Sequence, residues 1–588
     1  MSVSTSAVPH DLLKPVHWKM HANPGKVAEI FGRPELTALL RKFSYLDFTA
    51  DDKPFLRELY DAVRGHHVKK VEDAKFWKRC LAVSDRLAAA VGRLRAVWRY
   101  WEPGEENIFL VKLYVREGSH VIRPRVGRDA LKVIISILRK HSRSEDAFRE
   151  LNDYLSCFPA DSRFPLVSLK THHWLSDALR RSKSLRRLCS ARRNPERMGL
   201  IRVGVPCEFF HRLRDLRAFR DYVDHVLRFI EGELASHLPL RVGDEVFLAA
   251  VEGDIEDLVN RLTTLCIGSA LLLKMDIHEW RVGRAYGQFI IESLAPPREA
   301  YIGEPKLPEF APRATDAWAE ELERSERVLW MRVALHGALE EVAKTFLDRV
   351  EREILSKMPR KPEENPIEQK ISLSPELLVS ISDGLGEFYM DFGRILSRSG
   401  DPKEVTVLRS LRETIFVRGL RDGEGVLELY EKALELLKRI LIEVDVSGVV
   451  CGGKYPFWRV YELLKSYDWG LIVVRGDRLV RLGRNDVPDL IRARNLLSGR
   501  NVSRSQFMEI IKEARRSDGP EILKVLIESR DAEGKLLRGS RRGGRGFSDV
   551  CKELCRLVDR IYQRHRDMKA VAEALELLMP YTKAEGGR

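Results

Sequence analysis

Cysteine is scarce. The chain holds eight in 588 residues, and the only close pair, Cys551 and Cys555, lies four apart in a helical pattern rather than in a metal knuckle, so no zinc module is signalled. No apolar run approaches the ~18 residues of a membrane span, and the amino terminus carries no charged-then-apolar leader. These absences predict a cytoplasmic protein with reduced thiols and no membrane partner. Low-complexity sequence is confined to an Arg/Gly loop at 538–546, and no period of about 20–50 residues recurs, which excludes solenoids and propellers.

Positive charge is plentiful. The 101 Lys and Arg outnumber the 87 Asp and Glu, for a net charge of +14 and a pI near 9.3, which favours an anionic partner such as nucleic acid. The excess clusters: Arg180, Arg181, Lys183, Arg186 and Arg187 share one short segment, and Arg541 and Arg542 sit in the Gly-rich loop. Arginine suits phosphate because its planar fork donates two parallel hydrogen bonds. A solvated helix face and a flexible loop would use the same residues with no ligand at all.

At about 100–200 residues per domain, the length implies three to five units. Helical periodicity fills 1–100 and 101–240. The apolar run Val246–Val251 stops at Glu252-Gly253 and yields to a helix at Asp254, and a further helix leads to a strand around Gly287–Ile291. With a charged amphipathic helix over 316–355, residues 241–356 read as a first palm-like unit. Pro359, Pro362 and Pro366 mark a linker. Residues 367–485 then run strand (Leu377–Ser382), turn (Asp383-Gly384-Leu385-Gly386), helix, strand (Thr414–Arg418), turn (Arg421–Gly425), a short strand merging into a helix, strand (Val444–Cys451), helix and strand (Gly470–Val474). That is the βαββαβ order of a ferredoxin-like palm. Residues 486–588 are helical again. The predicted fold class is α+β, predominantly helical, with an amino-terminal helical domain, two ferredoxin-like palms and a carboxy-terminal helical domain.

A palm becomes a nucleotidyl-transfer site when carboxylates from its first strand and central hairpin hold two Mg²⁺ ions about 3.5–4 Å apart. In the second unit Asp383 is the acid at the first-strand turn, and Asp422 and Glu424 sit at the hairpin beside Arg418 and Arg421. Two guanidinium groups there compete with a divalent cation, so the site reads as degenerate and neither Mg²⁺ nor ATP is expected. In the first unit Glu252 and Asp254 flank Gly253, but Arg284-Ala285-Tyr286-Gly287-Gln288 has no acid, so that unit reads as structural. The amino-terminal helices hold His10, Asp11, His66, His67 and Asp85, the ligand types with which a helical phosphohydrolase holds one or two metals and activates water. A remnant of such a site, or unrelated surface histidines, would leave the same pattern.

Several segments together resemble the large subunit of type III CRISPR effector complexes, the Cas-ten family, and its relative in type I-D systems. His10-Asp11-Leu12-Leu13-Lys14-Pro15 is similar to the family's His-Asp signature. Gly65-His66-His67 and Ser84-Asp85-Arg86-Leu87-Ala88 are similar to its double histidine and later aspartate. The most distinctive match is Phe158-Pro159-Ala160-Asp161-Ser162-Arg163 followed by Val167-Ser168-Leu169-Lys170-Thr171-His172-His173. Glu252-Gly253-Asp254-Ile255, Ser382-Asp383-Gly384-Leu385-Gly386, Val446-Ser447-Gly448-Val449 and Lys454-Tyr455-Pro456 continue it in the family's order.

The resemblance implies an HD-like domain with Mn²⁺ or Ni²⁺ on the five ligands above, capable of cutting single-stranded DNA. It also implies two palms, binding to a guide-RNA ribonucleoprotein, contact with other effector subunits, and proximity to target RNA or single-stranded DNA. Where the family carries Gly-Gly-Asp-Asp this chain reads Gly419-Leu420-Arg421-Asp422, which speaks against cyclic oligoadenylate synthesis. Two other readings stand beside this one: an active cyclase or polymerase whose carboxylates lie elsewhere, and a structural RNA-binding protein unrelated to CRISPR.

Overall fold

The computed structural model describes residues 12–16, 24–45, 76–91, 95–101, 107–141, 144–206, 216–269, 273–285, 288–293, 297–302, 325–368, 373–421, 425–453, 455–466, 469–475, 478–498, 500, 502–533, 535–536 and 548–582. The chain forms two compact units. One comprises 1–207, 221–310 and 337–387, the other 208–220, 311–336 and 388–588.

In the first unit β1 (Arg95–Arg99), β2 (Leu110–Val111) and β3 (Val121–Ile122) are short and alternate with helices, among them Phe76–Val91, Leu169–Arg181 and Lys183–Ser190. The strands β4 (Arg197–Gly204), β5 (Leu240–Val242), β6 (Glu245–Val251), β7 (Leu273–Ala285) and β8 (Gln288–Ser293) form a sheet in the order β5-β6-β4-β7-β8, with β9 (Arg298–Ile302) also on β7. The helix Leu216–Glu233 follows β4 and the helix Asp254–Ser269 follows β6, so β4 to β7 run βαββαβ with the first strand in the middle.

The same order recurs in the second unit. Its first strand is β10 (Arg327–Leu335); β11 (Lys361–Glu368) belongs to the first unit and pairs antiparallel with β1, where Arg99 bonds Glu363 at 3.0 Å. With β10, the strands β12 (Thr406–Arg409), β13 (Glu413–Leu420), β14 (Val444–Cys451), β15 (Gly470–Arg475) and β16 (Arg478–Gly483) make a sheet in the order β12-β13-β10-β14-β15-β16, in which only β14 and β15 are parallel. The helices Asp486–Ser498, Arg504–Ala514, Pro520–Ala532, Asp549–His565 and Met568–Leu578 belong to this unit too. Glu576 of the last one meets Arg475 at 2.5 Å and Arg327 at 3.5 Å, tying that helix to the ends of β15 and β10. No helix among the described residues is long and apolar enough to cross a membrane.

Several predicted elements differ. The expected strand Leu377–Ser382 and its turn lie inside a helix, Pro375–Leu396. Ser374 caps it by accepting the Leu377 N–H at 3.1 Å, Pro375 opens it, and Leu378, Ile381, Leu385, Phe388 and Phe392 recur at three- or four-residue spacing. Gly384 is not a turn residue: a Cβ there would stand 2.8 Å from the Leu113 Cβ, so the glycine permits close packing. The helix expected over 316–355 is β10 followed by the helix Leu339–Glu353. Val328–Met331 and Val333–Leu335 are buried on both faces of a central strand, and such a run has no alternation to distinguish it from a buried helix. β4 and β7 were hidden in the same way, so the first sheet begins at Arg197 rather than near 241, and Pro362 and Pro366 stand in β11 rather than in a linker. The strand expected from Val426 is helical from its first residue.

Candidate functional site

Side chains alternate along β10, so Trp330, Arg332 and Ala334 share one face of the second sheet. The helix Phe457–Lys465 covers that face: Trp330 packs on Phe457 with ring centroids 4.8 Å apart, and Ser447 donates to the Leu464 carbonyl at 2.9 Å. Phe392 and Tyr430 cover the opposite face, on Phe416 and beside Gly448. Register places Ala334 between Glu413 on β13 and Asp445 on β14. Two carboxylates therefore flank one small residue on one face, with backbones two strand spacings, ~10 Å, apart.

Each carboxylate is already engaged. Glu413 is buried; its Oε2 accepts from Arg332 and its Oε1 from the Tyr461 hydroxyl at 2.9 Å. Asp445 accepts from His336 Nδ1 on both oxygens, at 3.1 and 3.0 Å. A pair of Mg²⁺ ions would have to displace an arginine, a tyrosine and a histidine, and β10 itself has no acid. The residues do not fit a two-metal centre.

The hairpin beside the first strand is Arg409–Glu413, with Leu335 N–H donating to the Arg412 carbonyl at 2.8 Å. It is not the later Gly419–Arg421 segment. Gly419 and Leu420 end β13, and Asp422 and Glu424 lie outside the described residues. Asp383 lies in the first unit, exposed on the helix Pro375–Leu396, at the mouth of a recess with Lys112, Ser168, Thr171 and Glu387. The predicted grouping of Asp383 with the hairpin acids is therefore wrong: it rested on reading a helix as a strand.

The first sheet repeats half of the arrangement. Arg202 of β4 bonds Glu245 at the start of β6, at 2.8 Å, and Asp276 of β7, and all three are buried. Gly204 faces Glu245 as Ala334 faces Glu413. Glu252 and Asp254 serve structure: Glu252 accepts the Glu196 and Arg197 N–H groups at 2.8 Å, and buried Asp254 accepts from the Ser182 and Ser184 hydroxyls at 2.6 Å.

Of the five proposed metal ligands, His10, Asp11, His66 and His67 lie outside the described residues, and Asp85 is held by a residue the sequence did not single out for chemistry. Buried His172 bonds Asp85 through Nε2 and Glu376 through Nδ1, each at 3.1 Å. Burial pushes its imidazole down, but the two carboxylates carry it up to about 10. The basic cluster divides. Lys183 and Arg187 are exposed, whereas Arg180 is buried on Asp177 at 3.0 Å and Arg186 donates to the Arg180 carbonyl at 3.2 Å, so Arg180 does not offer its fork to a ligand. Arg541 and Arg542 lie outside the described residues.

The topology has solved counterparts. Csm1 from T. onnurineus is 14% identical, with 98% of each chain covered and a TM-score of 0.52. Csm1 in the Csm1-Csm4 subcomplex of the type III-A CRISPR-Csm interference complex is 13% identical, with the same coverage and a TM-score of 0.50. The chain has the Csm1 fold. At that coverage the likeness to Csm1 takes in both sheets and the carboxy-terminal helices, and it bears out the resemblance read from short motifs at the level of fold. No family model matches the sequence, and no curated protein does.

Proposed function

We propose that this chain is the large subunit of a type III CRISPR effector complex, a scaffold that joins a guide-RNA ribonucleoprotein and engages target RNA or single-stranded DNA, and that its palms make no cyclic oligoadenylate. The observation that carries the reading is the end-to-end likeness to Csm1, 98% of both chains, which includes Csm1 as found with a Csm4 subunit. The carboxylates of the second palm, saturated by Arg332, Tyr461 and His336, support the loss of metal-dependent nucleotidyl transfer. Co-expression with a Csm4-type subunit and a guide RNA tests the assembly. Co-elution with short RNA is expected, and elution alone without RNA overturns it. ATP, Mg²⁺ and target RNA should yield no oligoadenylate from the assembled complex. An HD-type DNase in the amino-terminal region is tested with single-stranded DNA and Mn²⁺ or Ni²⁺: loss of cleavage in His66→Ala/His67→Ala supports it, and equal activity counts against it.

A further inference from the structure

His336 is the first residue beyond β10. Its N–H donates to the Glu443 carbonyl at 3.3 Å, and its neighbour Leu335 donates to the carbonyl of Arg412 on the hairpin. The backbone is thus pinned on both sides, and the ring is pinned by Asp445. Because Asp445 accepts from Nδ1, the proton sits there and Nε2 is the basic nitrogen. The Asp445 side chain is 18% exposed and the imidazole 60%. A carboxylate shielded enough to persist therefore orients a base that solvent and ligand can reach.

The surroundings narrow the chemistry. Glu413, the carboxylate across Ala334, is held by Arg332 and Tyr461, so no metal is in reach to make hydroxide. The hairpin hydroxyl, Ser410 Oγ, donates to the Glu413 carbonyl at 2.9 Å, so it is not presented as a nucleophile. A base and the neighbouring arginine remain, and a substrate must bring its own nucleophile. Among polyanions matched to a chain of net charge +14, RNA does so with its 2′-hydroxyl, and DNA does not.

We propose that His336, oriented by Asp445 and assisted by Arg412, cleaves single-stranded RNA without a metal. Nε2 takes the 2′-hydroxyl proton, O2′ forms a bond to the adjacent phosphorus, and the bond from phosphorus to O5′ breaks. The leaving O5′ takes a proton from water, and the products are a 2′,3′-cyclic phosphate and a 5′-hydroxyl. Arg412 neutralises the charge that develops on the phosphoryl oxygens. Asp445 acts through His336 and is a positioning residue.

The proposal does not depend on the CRISPR reading, since its test needs only the full-length chain. Single-stranded RNA, the same strand with 2′-deoxy residues, and matching DNA are incubated with it in EDTA. Cleavage of RNA alone, leaving cyclic phosphate ends, is expected. His336→Ala should slow it on the order of 10³-fold, with part of the rate restored by free imidazole. Asp445→Asn should lower kcat with KM unchanged. His336 is exposed, so circular dichroism should show His336→Ala folded. RNA that stays intact, cleavage that requires Mg²⁺, or a rate unaltered in His336→Ala overturns the proposal.

Discussion

Glu413 and Asp445 illustrate how the neighbours of a carboxylate decide what it can do. Glu413 is buried with a guanidinium on one oxygen and a phenol on the other, so each partner is worth most when its removal strands the charge. Arg332→Ala should lower the unfolding free energy of the second unit by about 3–5 kcal/mol, and Tyr461→Phe by about 1–3 kcal/mol, measured by urea unfolding. His172 makes the opposite case, a cation between two carboxylates. Its folded pKa, about 10, lies above the ordinary histidine value of 6.5, so the bound proton stabilises the fold fully below pH 6.5, and that contribution fades as pH rises towards 10. His172→Gln should therefore flatten the fall in stability across this window, read as unfolding midpoints of both proteins at several pH values.

At the scale of elements, the sequence shows some features and conceals others for physical reasons. β6, β14 and β15, the helix Phe457–Lys465 and the helical carboxy terminus were legible, because strands bounded by turn residues and amphipathic helices leave one-dimensional signals. β4, β7 and β10 were not, since strands buried on both faces do not alternate. Without β10 there was no register, and without register nothing in the sequence marks Ala334, Glu413 and Asp445 as neighbours. The site was therefore sought in the wrong hairpin. The helix Pro375–Leu396 offers a direct test of why its glycines misled. Gly386→Ala meets nothing within 4 Å and should stabilise by up to about 1 kcal/mol through helix propensity. Gly384→Ala, 2.8 Å from Leu113, should destabilise despite the same propensity gain. Thermal midpoints moving in the same direction would contradict this account.

For the whole molecule, the carboxy-terminal helices are part of the second unit and not an appendage. Gly425 precedes the helix Val426–Leu437 and offers no side-chain cap; instead the Tyr581 hydroxyl accepts the Glu428 N–H at 3.1 Å. A Cβ on Gly425 would fall 1.7 Å from that hydroxyl. Gly425→Ala should expel Tyr581 and speed hydrogen exchange at Glu428, and Tyr581→Phe should do the same without the clash. The paired registers of Arg202 with Glu245 and Arg332 with Glu413 carry a consequence for lineage. They align one half of the chain on the other, and on that alignment the counterparts of His336 and Asp445 are Pro206 and Lys274. The arginine–glutamate pair is common inheritance of the two halves, whereas the histidine–aspartate pair belongs to one branch alone, which marks where the duplicated copies parted in purpose.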